Sequence, residues 1–192
     1  VKLVGGFEVS NSFTAEDVVI GQALADASTN GKPIPVMIAG IAKLRFTGIS
    51  PLVNGQAGVL ASGTSGKVKK PASGNGVGRN LKVEVTSQTL TLATVVAGDS
   101  VTINGLTFTA HASTTTPSSR QFSIAGTDAA DASELASVIN HATYGVPGVT
   151  ATVSSNVVTV TAKDLDNTTV TVTNPASTIT VAVNGGNVWM LL

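Results

Sequence analysis

The sequence predicts a mainly β protein with minor α content: a small antiparallel β-barrel or sandwich, followed by an α+β domain of antiparallel strands with one helix. Three observations predict it. Val and Thr alternate through most of the second half, as in strands with one buried and one wet face. Gly, Pro and Asn-Gly pairs punctuate the chain at short intervals, as turns between strands do. A single stretch, 128–145, carries apolar residues at helical spacing.

Apolar residues make up 42% of the 192-residue chain but aromatics only 4%, so the cores are modest and built from Val, Ala, Leu and Ile. Composition shifts from Gly- and Pro-rich to Thr- and Val-rich near Glu84, which divides the chain into parts 1–84 and 85–192. No long flexible linker separates them, so a continuous strand is expected to join the two.

In the first part, strands are expected in 1–6, 17–24 and 33–46, with turns at Gly5-Gly6, Asn30-Gly31 and Asn54-Gly55. Pro33 and Pro35 lack an amide hydrogen and belong at a strand start or edge. A hairpin is expected to pair 56–62 with 66–70 across Gly63-Thr64-Ser65-Gly66, and 80–85 completes a set of about seven short strands.

The second part opens with a hairpin. Val101 and Ile103 share one face, Leu106 and Phe108 share a face of the return strand, and Asn104-Gly105 is the turn. A polar loop, 113–120, precedes a strand at 121–126. The helix is expected over about 128–143. Thr127 or Asp128 caps it, Asp131 and Glu134 sit in its early turns, and Leu135, Val138, Ile139 and Ala142 form its stripe. Gly145 and Pro147 end it. Strands resume at 149–155 and 156–163, joined near Ser155-Asn156, and continue at 168–174 and 178–186.

The chemistry is mostly one of exclusions. The stretch GVLASGTSGKVKKPASGNG (58–76) resembles a phosphate cradle only in composition. Val68 follows Gly66-Lys67, Ala61 stands where the first glycine belongs, and the Gly74, Gly76, Gly78 series ends at Arg79. A turn plus loop is expected. The chain has no cysteine, which excludes disulfides, thiolate metal sites and a Cys nucleophile. His111 and His141 lack converging partners for a metal, and Asp164, Asp166 and Asn167 lack the Gly and distal Glu of a calcium loop. No nucleophile elbow is present, and adjacent Glu16 and Asp17 point apart on a strand. No catalytic, cofactor-binding or metal-ligating residue is therefore expected, and the chain is not read as an enzyme.

Only 11% of residues are charged and the formal net charge is zero, which argues against nucleic acid or an anionic membrane as partner. The longest apolar runs, such as 36–42, are too short to span a bilayer. Val1 rather than Met stands first, so a natural start removed by processing or design is expected. Lys67, Lys69, Lys70, Arg79 and Lys82 form a local basic cluster. One reading is a solvated strand face that discourages edge pairing; the other is contact with an acidic partner surface. The apolar terminus NVWMLL (187–192) is either a docking segment or, more simply, a cap in which Trp189 and Leu191 cover the nearest core.

These residues carry a resemblance. Ile20-Gly21, Ala23-Leu24, the strand Val36-Met37-Ile38-Ala39-Gly40 and the stretch Gly55 to Leu60 resemble small β-domains of tailed-bacteriophage capsid decoration, or cement, proteins over roughly residues 1–85. The second part looks like a module of phage structural and tail proteins. The resemblance implies a virion protein on the outer surface of the head that binds the major capsid protein as a homo-oligomer, commonly a trimer. It would bridge neighbouring coat subunits against the pressure of packaged DNA. Lys67, Lys69, Lys70, Arg79 and Trp189 are then the candidate partner contacts. The alternatives are a tail tube or tail-decoration protein, for which 113–120 would be the inter-subunit loop, and a carbohydrate-binding adhesin module.

Overall fold

The computed structural model describes residues 2–3, 9–10, 22–23, 36–37, 39–47, 57–61, 67–69, 77–165, 168–174 and 176–191. The expected features at Gly5-Gly6, Glu16, Asp17, Asn30-Gly31, Pro33, Pro35, Asn54-Gly55, Gly63 to Gly66, Lys70, Asp166 and Asn167 lie outside the described residues. The chain divides into two compact units, Val1–Glu84 with Gly185–Leu192, and Val85–Asn184.

The elements follow in chain order. β1 (Lys2–Leu3) pairs antiparallel with β2 (Val9–Ser10), and β3 (Gln22–Ala23) with β4 (Val36–Met37). β5 (Ile41–Thr47), β6 (Ala57–Ala61), β7 (Lys67–Lys69) and β8 (Val77–Leu92) come next. Then follow β9 (Ser100–Ile103), β10 (Leu106–His111), β11 (Gln121–Ser123) and α1 (Asp128–Ile139). The chain ends with β12 (Val149–Ser154), β13 (Val157–Ala162), β14 (Val172–Thr173) and β15 (Ile179–Leu191). The mainly β class with a single α-helix among the described residues is as the alternation and the stripe require.

In the first unit, β8, β15, β5, β7 and β6 are hydrogen-bonded in that order, and β6 also pairs with β8. The set therefore closes into a ring, in which each of these strands has a neighbour on both sides. The expected hairpin is present, with Leu60 opposite Lys69 and Ala61 opposite Val68. β7 then lies parallel to β5, Arg45 opposite Lys67 and Phe46 opposite Val68. Inside, Ala42, Phe46, Val68, Val188 and Met190 are buried.

Composition groups 185–192 with the second part; strand pairing places this segment in the first. Gly185 to Leu191 run antiparallel to Thr47 to Ile41 along β5. Composition reports only that a segment is a strand, whereas register and close approach decide its partner. Gly186 shows the approach: a Cβ there would strike the Glu84 carbonyl and the ring of Phe46.

The second unit has its own core. Leu90, Leu92, Val101, Ile103, Phe108, Phe122, Leu135, Val138, Ile139, Val158, Val160 and Ile179 are buried together. Two sheets supply it: β12-β13-β8-β15 and β11-β10-β9-β14. The hairpin forms as expected, with Ile103 opposite Leu106 and positive φ at both Asn104 (48°) and Gly105 (83°). α1 packs on β11 and β12, the end strands of the two sheets. Thr127 is its cap, its side chain accepting from the Ala130 amide at 3.4 Å.

The helix ends four residues before the expected limit, at Ile139. Asn140 caps it, and the chain then turns so that the Val146 amide donates to the Ile139 carbonyl. Ala142, expected on the stripe, is exposed beyond the helix, while Ala132 and Ala136 are buried instead. The reason is Asn140 itself. Its side-chain amide donates to the Ala151 carbonyl at 2.7 Å, and its carbonyl accepts from the Ala151 amide at 2.8 Å. One side chain thus does what a neighbouring strand would do, on the outer edge of β12. That edge holds Thr150, Thr152 and Val153 and no charge or proline, so it otherwise lacks the usual devices against strand addition. Asn140→Ala is expected to cost about 1–2 kcal/mol through the two lost bonds and to open the edge. Urea denaturation should show the loss, and light scattering should show new concentration-dependent association.

Candidate functional site

The outer wall of the first unit is set by strand alternation. On β5, Ala42 and Phe46 point inward, which turns Ile41, Lys43 and Arg45 outward. On β15, Val188 and Met190 are fully buried, which turns Trp189 and Leu191 to the other face. Register then brings residues together in rows: Trp189 opposite Lys43, Leu191 opposite Ile41, and the buried Asn187 opposite Arg45. Ile41 is 59% and Leu191 47% exposed, so an apolar pair faces solvent at one end of the wall.

This arrangement corrects the simple account of the terminus. Trp189 and Leu191 do not cap the core; Val188 and Met190 fill it, and a period of two forces the other pair outward. Trp189 is half-buried by its polar neighbours instead. The Lys43 Nζ lies 5.3 Å from the ring centroid, within cation–π range. Trp189 Nε1 donates to Glu84 Oε2 at 3.3 Å, and Glu84 Oε1 pairs with Lys82 Nζ at 2.7 Å. The Lys82 hydrogen bond holds the Glu84 carboxyl below its ordinary value; burial opposes this, and the Trp189 bond with the charges of Lys82 and Lys43 adds to it.

Of the other expected contacts, Lys67 is exposed on β7 opposite Arg45. Lys69 lies on the same strand opposite Leu60, and Lys70 is outside the described residues. Arg79 is exposed on β8 where that strand pairs with β6. Structure thus joins Lys67 and Lys82 to the wall of Trp189 and adds Lys43, Arg45 and Glu84, which sequence reasoning did not single out. The signal was present in AKLRF (42–46), where two cations alternate with apolar residues. What the sequence lacks is the partner strand, which arrives from the far end of the chain.

Both histidines have structural partners. His111 Nδ1 accepts from the amides of Ser113 and Thr114, and His141 Nδ1 from those of Thr143 and Tyr144. Asp131 is buried, accepts from the Gly126 amide at 3.2 Å and has its pKa pushed up by that burial. The loop 113–120 is tied within its unit: Thr115 donates to Glu134 at 2.6 Å, and Thr116 bridges to Gln121. Lys67, the nominal phosphate-loop lysine, sits in a strand. Among the described residues no group of three or more His, Cys, Asp or Glu converges as metal ligands. No helix of the described residues is long and apolar enough to cross a membrane.

Comparison with protein-family models and with curated proteins gave no match to the chain.

The Lys82–Glu84–Trp189 set has a defined pH signature. A depressed carboxyl pKa stabilises the fold above its unfolded value, and the gain disappears as pH falls through the folded value. Glu84→Gln keeps an acceptor for Trp189 but loses the ion pair. At pH 7 the variant is expected to be less stable by about 0.2–1 kcal/mol. Denaturation across pH should show that difference vanish once Glu84 is protonated.

Proposed function

We propose that this chain is a structural virion protein that binds the outer surface of a phage head and bridges coat subunits, acting as a trimer and without catalysis. The observation that carries the reading is the outer wall of the closed ring, where exposed Ile41 and Leu191 stand beside half-buried Trp189. An exposed apolar pair next to a tryptophan fixed by polar neighbours is the composition of an interaction hot spot. The resemblance of residues 1–85 to decoration domains names the partner class. Ring closure suits a mechanical role, since a strand with neighbours on both sides leaves contact mainly to side chains. A trimer holding three such walls gains avidity without further contacts.

Sedimentation of purified protein with mature heads of the phage that encodes it tests this directly. The protein should pellet with the heads, saturate at a multiple of three copies per binding position, and show in solution three times the 19.2 kDa chain mass. Protein left in the supernatant at micromolar concentration contradicts the reading. Labelling confined to tails, or binding on a glycan array without head binding, would assign the chain to the alternatives.

A further inference from the structure

Two cations stand together on the outer wall. Arg45 and Lys67 are directly opposite each other in a parallel pair and share a face, both exposed. Among the described residues neither has an ion-pair partner. Like charges in that position oppose strand pairing. The usual benefit of a strand lysine is protection of an open edge. That benefit is absent here: β5 has β15 and β7 on its two sides, and β7 has β5 and β6. The reading of Lys67 as an edge guard, natural from sequence, fails because the ring has closed.

Among the described residues the charge around the pair is one-sided. Lys43, Arg45, Lys67 and Lys82 face outward on this wall. The strands β5, β6, β7, β8 and β15 contain one acidic residue, Glu84, and it is already committed to Lys82 and Trp189. The chain as a whole carries no net charge. A local excess of cations, arranged around a fixed tryptophan and ending in the apolar pair Ile41 and Leu191, is complementary to carboxylates flanking an apolar patch.

We propose that this wall is the docking face for an acidic surface of the coat protein, with Trp189 as the apolar anchor and Arg45 and Lys67 as the carboxylate contacts. The proposal rests on the head-binding reading above and specifies where and by what chemistry that binding occurs. Partner carboxylates would relieve the repulsion that the free protein carries, so charge matching favours the bound state in particular.

Lys67→Glu separates this from a structural role. It replaces the like-charge pair by an ion pair between Arg45 and the introduced carboxylate, so the thermal midpoint should hold or rise, by up to about 4 °C. Head binding, measured by sedimentation, should fall by roughly tenfold or more. Arg45→Glu with Lys67→Glu should abolish it at the same protein concentration. Wild-type binding should weaken as NaCl is raised from about 50 to about 500 mM. Wild-type binding that is matched by both variants and indifferent to salt overturns the proposal and leaves the head-binding reading intact. No binding by the wild type overturns both. Self-association lost in Lys67→Glu, with head binding unchanged, would give the wall to a second copy and overturn it as well; so would binding of single-stranded DNA in place of heads.

Discussion

The fold depends on the return of β15. Its first residues belong to the second unit and its last to the first, where they lie between β8 and β5 and complete the ring. Without that strand, β5 and β8 would each expose a row of backbone donors and acceptors, and the small interior of Ala42, Phe46 and Val68 would lose Val188 and Met190. The second unit is thus an insertion in sequence between two strands of the first. The same register that buries Val188 and Met190 dictates which side chains look outward. A slip of one residue would bury Trp189 and Leu191 and expose the two core residues. Core and surface are fixed by one pairing.

The second unit solves a different problem. With so few charges, the chain protects and completes its strands with amides and hydroxyls. Asn140 covers the outer strand at Ala151. Asn104 does the same between the hairpin and the 169–171 segment, donating to Thr169 and accepting from Thr171. Asn156 donates to the Leu92 carbonyl, and Asn174 to the carbonyls of Ala176 and Ile179. A side-chain amide carries the same donor and acceptor as a peptide, so each asparagine continues a ladder where the backbone turns away. At the start of the unit, Ser87 bonds to Thr161 and Asn184, and Gln88 donates to the Val170 carbonyl, so these buried polar groups have partners.

Local features were legible in the sequence. The Asn104-Gly105 hairpin, the Thr127 cap and the Ser155-Asn156 turn each depend on a few adjacent residues whose backbone preferences are strong. Long-range pairings were not. Nothing in VNGGNVWMLL states that its partner is IAKLRFT, nor that β7 would lie parallel to β5 rather than at the end of a simple meander. The helix is shorter than the sequence suggests because Gly145 and Pro147 are visible stops, whereas the Asn140–Ala151 bonds that fix the true end are tertiary. For the same reason Lys67 stands out in the sequence and Arg45 does not: the local cluster of lysines is visible, and the cross-strand row is a product of register.

Amide hydrogen exchange tests the closure of the ring most directly. If β15 is the strand between β8 and β5, the amides of residues 186–190 should exchange as slowly as those of 42–46, and both sets should open together as one cooperative unit. Rapid exchange at 186–190 while the β5 amides stay protected would contradict the account.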